Sequence, residues 1–173
     1  MVNFKSSMKI LVLPGYSLHN REWAYEVKKK LSFKHSILVH GWAHWRLGGT
    51  LKPKHEVELI LKEIGREKID LIAKSVGTMV AMLVLRQAPE KINKIILCGI
   101  PSVSPERLTL FQEALENFPE KDIICFQNTA DPLAGYIEVK EFMEKVNSEI
   151  EVIEESRHDH NYPYFEEFEK FLR

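Results

Sequence analysis

The stretch Ile69–Val84, IDLIAKSVGTMVAMLV, decides the fold. Ile69, Leu71, Ile72 and Ala73 form a short apolar run of the kind found in a strand covered on both faces. From Thr78 onward the pattern becomes that of a helix, Thr-Met-Val-Ala-Met-Leu-Val-Leu-Arg-Gln. Between the two lie Ala73-Lys74-Ser75-Val76-Gly77. A strand that turns directly into a helix packs the chain back on itself. Ala73 and Gly77, two residues to either side of the serine, are where that crowding demands small side chains. A serine at the apex is pushed out of the turn in a strained conformation. The competing reading is a tight strand-to-helix turn with an incidental serine, because small-x-Ser-x-Gly also arises by chance.

Working outward, strand-like runs recur at Lys9–Leu13, Ser36–His40, Ile69–Ala73, Lys94–Cys98, Asp122–Gln127 and Glu149–Ile153. Helix-like stretches fall between and after them, at Arg21–Leu31, His55–Ile64, Thr78–Gln87, Pro105–Asn117, Tyr136–Val146 and Tyr164–Leu172. Each carries apolar residues at helical spacing, as at Val57, Ile60, Leu61 and Ile64. Strands alternating with helices predict an α/β fold: a mostly parallel sheet of about six strands, right-handed crossovers, and helices on both faces, a three-layer sandwich. No repeat, low-complexity tract or linker breaks the chain, so residues 1–173 are expected to form one domain.

The totals remove several function classes. A net charge of -1 over 173 residues gives no electrostatic footprint for nucleic acid. The run Ile10–Leu13 that follows Lys5 and Lys9 is too short for a signal sequence, and Met79–Leu85 is too short to span a membrane. The expectation is a cytoplasmic protein with no membrane partner. Cys98 and Cys125 each sit in an apolar strand-like run, as buried hydrophobes rather than a disulfide or metal pair. No nucleotide-binding glycine motif follows the first strand. His158 and His160, with Asp159 between them, have no further cysteine or histidine cluster to complete a metal set.

In a parallel sheet, chemistry collects at the carboxyl ends of the strands. After the first strand comes Pro14-Gly15-Tyr16-Ser17; after the second, Gly41-Trp42-Ala43-His44-Trp45; after the third, Ser75. After the fifth comes Asn128-Thr129-Ala130-Asp131-Pro132, and after the last Ser156-Arg157-His158-Asp159-His160. A serine hydroxyl is a poor nucleophile. It needs a base within reach, and the base needs a group that fixes its tautomer and steadies its cation. Serine, aspartate and histidine stand here at three strand ends, in that order.

On these residues the chain resembles a small α/β-hydrolase. The elbow Ala73-Lys74-Ser75-Val76-Gly77, the acid loop with Asp131, and a histidine loop before a terminal helix follow that family's order of Ser, then Asp or Glu, then His. The resemblance covers nearly the whole chain. It implies Ser75 as nucleophile, Asp131 as acid and His160 as base, with His158 the runner-up; Asp159-His160 matches the family's Asp-His or Gly-His pair slightly better. The other reading of Asp131 is a turn-forming Asp-Pro. Asp70 and Asp122 fall at strand starts, the wrong edge of the sheet.

The resemblance also implies an oxyanion hole from the backbone N–H of Val76 and of Tyr16, or Ser17, with Pro14 standing where the family has histidine. Lys74 stands where the family often has a bulky residue; it either draws an anionic substrate or points into solvent, and the second is expected. With only one helix between Pro101 and Pro119 there is little chain for a lid. The open site is expected to be walled by Trp42, His44, Trp45, Tyr16 and Leu133. The function expected is hydrolysis of a small-molecule ester, thioester or amide through an acyl-enzyme, with no metal or organic cofactor. The alternatives are acyl transfer at the same site and a catalytically inactive binding protein of the same fold.

Overall fold

A computed structural model describes residues 8–32 and 34–173. The N-terminal lysine Lys5 lies outside the described residues. Six strands, β1 (Lys9–Leu13), β2 (Ser36–Val39), β3 (Ile69–Lys74), β4 (Ile92–Cys98), β5 (Ile123–Asn128) and β6 (Glu151–Glu155), form one all-parallel sheet. Their order is β2-β1-β3-β4-β5-β6. Among the described residues there are seven α-helices: α1 (Asn20–Leu31), α2 (Ala43–Leu47), α3 (Pro53–Ile64), α4 (Val76–Gln87), α5 (Pro105–Leu115), α6 (Tyr136–Asn147) and α7 (Phe165–Leu172).

The strands are apolar on both faces because both faces are covered. Side chains alternate across a strand, so each strand feeds two cores. Ile10, Val12, Ile72, Ile96, Ile124 and Phe126 pack against Trp23, Ala24 and Val27 of α1 and Phe168 of α7. Leu11, Leu13, Leu71, Ala73, Ile95, Leu97 and Ile123 pack against α3, α4, α5 and α6 on the other side. Cys98 belongs to the first core and Cys125 to the second, both buried and free. Local signals set the helix ends. Pro53 and Pro105 each occupy the first turn of a helix, where no N–H is needed. Ser104 Oγ accepts from the Arg107 N–H at 3.3 Å, and α3 stops at Gly65.

The strand order holds the clue to the site. From β1 the chain moves outward to β2, then crosses back over β1 to β3 and continues the other way. The crossover helix α1 lies on one face and α3 on the other. The carboxyl ends of β1 and β3 therefore flank the reversal point, where open parallel sheets form their binding crevice.

Two local expectations are corrected. The last strand runs Glu151–Glu155 instead of Glu149–Ile153. As an edge strand its extent is set by pairing with β5, from Ile124↔Glu151 to Asn128↔Glu155, rather than by its own apolarity. Its exposed glutamates also guard that edge against pairing with other chains. The loop after β2 contains the unforeseen α2, too short to show a periodicity; the buried carboxylate of Glu56 holds its first turn by accepting from the Ala43 N–H at 2.8 Å. No helix among the described residues is long and apolar enough to cross a membrane.

Candidate active site

Ser75 is the turning point between β3 and α4. Among the described residues it alone combines a side chain with a positive φ, 56°, at ψ -124°. Such a conformation costs on the order of 1–3 kcal/mol and persists only where the surroundings enforce it. Here they do. The Ser75 N–H donates to Cys98 O at 3.0 Å, and its carbonyl accepts from the Thr78 N–H at 2.9 Å and the Thr78 hydroxyl at 2.6 Å. Gly77 explains itself sterically: a Cβ there would lie 2.4 Å from Leu13 O and 2.8 Å from Pro14 O. The elbow is thus pressed directly onto the end of β1.

Asp131 follows β5 and is buried. Its Oδ1 accepts from the Leu133 N–H at 2.9 Å; its Oδ2 takes His160 Nδ1 at 2.6 Å and the Tyr162 hydroxyl at 2.5 Å. Burial pushes its carboxyl up, but the hydrogen bonds from His160, Tyr162 and Leu133 outweigh that, and it is held below the usual carboxylate value. A carboxylate on Nδ1 fixes the imidazole tautomer with its proton there and leaves a lone pair on Nε2. His160 Nε2 is buried and has no hydrogen-bond partner among the described residues. The His160 ring sits against Gly99, the residue after Cys98: a Cβ on Gly99 would lie 2.8 Å from His160 Cε1 and 2.5 Å from Tyr162 Cε2. His160 and Ser75 are therefore both braced on the end of β4. No hydrogen bond joins them among the described residues. Such bonds often tighten only when substrate binds. His158 is exposed and has no hydrogen-bond partner among the described residues.

Sequence reasoning missed two residues that assemble this corner. Asn128 donates through Nδ2 to Asp159 O and Asn161 O, both at 2.8 Å, gripping the chain on either side of His160. Its Oδ1 accepts from the Tyr164 hydroxyl at 2.5 Å. Tyr162 is fully buried; burial first, and then the Asp131 carboxylate, push its phenol far up, so it stays a neutral donor. The available signal was the aromatic-rich stretch Tyr162-Pro163-Tyr164-Phe165 that follows His160.

The expected free lysine is corrected, and the expected wall residues carry specific hydrogen bonds. Trp42 is 1% exposed, and its indole N–H is spent on Gly15 O at 2.9 Å. His44 Nε2 and Trp45 Nε1 both reach Tyr16 O, at 3.0 and 2.8 Å. Tyr16 and Leu133 are exposed. Lys74 is 6% exposed rather than solvated. It donates to Asn20 Oδ1 at 2.9 Å and lies 5.4 Å above the Trp23 ring, and burial lowers its pKa. Asn20 in turn donates to Ser17 Oγ at 2.9 Å and fills the space a Gly15 Cβ would need. Lys74 and His160 share the wall of a cleft of about 450 Å³. The backbone donor Val76 is the first residue of α4, so its N–H has no partner within the helix. No group of three or more His, Cys, Asp or Glu side chains able to hold a metal occurs among the described residues.

An all-parallel sheet with a strained serine between its third strand and the following helix, and a His-Asp pair on the last two strand ends, defines the class: the chain is a small α/β-hydrolase-fold protein. A family model described as the alpha/beta hydrolase fold matches residues 53–137. Among solved structures, the chain is similar to alpha/beta hydrolase domain-containing protein 10 from mouse, at 13% identity and a TM-score of 0.67 over 95% of this chain and 86% of that one. It is similar to a monoacylglycerol lipase of Paleococcus ferrophilus at 12% identity, with a TM-score of 0.65 over 95% and 93% of the two chains. It also resembles a carboxylesterase of Bacillus cereus at 16% identity, with a TM-score of 0.66 over 96% and 88%. No match is found among curated protein sequences.

Proposed function

We propose that the protein is a serine hydrolase that cleaves a small carboxylic ester, thioester or amide. The observation that carries this reading is the backbone of Ser75, the one residue with a side chain whose positive φ the described fold enforces, at a strand-to-helix elbow. A strained serine there presents its hydroxyl at the crevice. In this reading Ser75 Oγ attacks the acyl carbon while His160 Nε2 takes its proton. Asp131 holds the imidazole through Nδ1 and steadies the cation that forms. The N–H groups of Val76 and of Tyr16 or Ser17 stabilise the oxyanion, aided by the positive end of α4. His160 then returns the proton to the leaving group, and water, activated by the same imidazole, releases the acid. The esterase and lipase names among the structural neighbours support this chemistry by analogy of fold.

The test is labelling with a fluorophosphonate probe and mapping of the adduct by mass spectrometry. Wild type and His158→Ala are expected to label at Ser75, and Ser75→Ala and His160→Ala to lose labelling. If folded wild type takes no probe, the reading fails and an inactive binding protein is favoured. If His158→Ala is the silent variant, the base is reassigned.

A further inference from the structure

The segment after β2 also grips the loop after β1. Three N–H donors from four consecutive residues converge on two successive carbonyls: Trp42 on Gly15 O at 2.9 Å, and His44 and Trp45 on Tyr16 O at 3.0 and 2.8 Å. His44 also stacks on the Tyr16 ring, with centroids 4.6 Å apart. The segment is itself pinned. Glu56 of α3, 1% exposed, takes the Ala43 N–H on one carboxylate oxygen and His40 Nε2 on the other, both at 2.8 Å.

Topology gives this grip a direction. The sheet order is β2-β1-β3, so the loop after β1 lies between the clamp after β2 and Ser75 after β3. No peptide bond among the described residues is cis, and in a trans peptide N–H and C=O point opposite ways. Carbonyls of Gly15 and Tyr16 pulled toward the β2 side therefore turn the N–H groups of Tyr16 and Ser17 toward the β3 side, where Ser75 stands. From that side the Lys74–Asn20–Ser17 chain ties the same loop to the residue before the serine.

We propose that Trp42, His44 and Trp45 are positioning residues that set the oxyanion donors of the β1 loop through its carbonyls. This rests on the hydrolase reading above. The three residues then act on the transition state and touch no substrate. Freed of the clamp, the loop holds its two peptides less firmly, and misplacement of a catalytic group by about 1 Å is enough for a roughly hundredfold loss.

The test uses full-length protein with His44→Phe, Trp45→Phe and their double variant, each of which keeps an aromatic ring and removes a donor; Trp42 is left intact because it is core. Amide hydrogen exchange over residues 14–18 and steady-state hydrolysis of an activated aryl ester are measured together. The double variant is expected to exchange faster at Tyr16 and Ser17 and to lose about tenfold or more in kcat at nearly constant KM. His44→Gln, which retains a donor, is expected to recover most of the His44→Phe loss. Unchanged exchange in the double variant overturns the grip itself, with or without activity. Faster exchange with unchanged kcat overturns its catalytic role. A wild type that neither turns over ester nor labels at Ser75 defeats the hydrolase reading and the catalytic role together, while the exchange data still judge the grip.

Discussion

The Tyr162 hydroxyl and His160 Nδ1 meet on the same oxygen, Asp131 Oδ2, at 2.5 and 2.6 Å. The acid of the proposed triad is thus oriented by a phenol that itself has no route to substrate. Tyr162→Phe keeps the buried ring and deletes one donor to a desolvated carboxylate. The expected cost is about 1–3 kcal/mol of stability, together with slower probe labelling of Ser75. Chemical denaturation and labelling kinetics check the two effects separately; unchanged values in both would show that the phenol is idle.

Acid sensitivity follows from the same carboxylate. The folded protein holds the Asp131 carboxyl below its unfolded value of 3.8. Its contribution to stability is therefore complete above that value and is lost as pH falls through the lower folded one. Asp131→Asn is expected to flatten this part of the stability curve. Thermal melts from pH 5 to pH 2, wild type beside variant, measure the difference.

Gly99 offers a steric test of the His160 corner. Gly99→Ala puts a methyl into His160 and Tyr162 at a φ of 60°, whereas Gly41 has nothing within 4 Å. The first substitution is expected to cost about 1–3 kcal/mol and to abolish labelling. Gly41→Ala is expected to leave both unchanged. Equal behaviour of the pair would remove the argument that Gly99 seats the base.

Backbone strain at Ser75 is measurable without any substrate. Alanine and glycine both remove the hydroxyl, but only glycine adopts a φ of 56° freely. Ser75→Gly is expected to be more stable than Ser75→Ala by about 1 kcal/mol, after allowing for glycine's looser unfolded chain. Equilibrium denaturation of the two inactive variants decides it.

The architecture was legible in the sequence because the inner strands are apolar on both faces and the longer helices repeat at 3.6 residues. The elbow was legible because steric crowding there selects Ala73 and Gly77 by size. The edge strand β6 was misplaced by two residues because a partner strand sets its ends. Trp42, His44 and Trp45 carry contacts of another kind. Their aromatic character suggests a pocket wall, and nothing local announces N–H donors aimed at carbonyls 27 to 29 residues away. Lys74 reads as a surface charge, and only the fold brings Asn20 and the Trp23 ring around it. Long-range hydrogen bonding of this kind leaves no periodic trace.

Cys98 lies directly beneath the candidate site: its carbonyl holds the Ser75 N–H, and its thiol is fully buried with a pKa pushed well up by that burial. Cys125 lies in the opposite core of the same sheet. The molecule thus carries two built-in chemical clocks, one per layer. A thiol-alkylating reagent reaches each only when its layer opens, so the two alkylation rates time the breathing of the two halves of the sandwich independently.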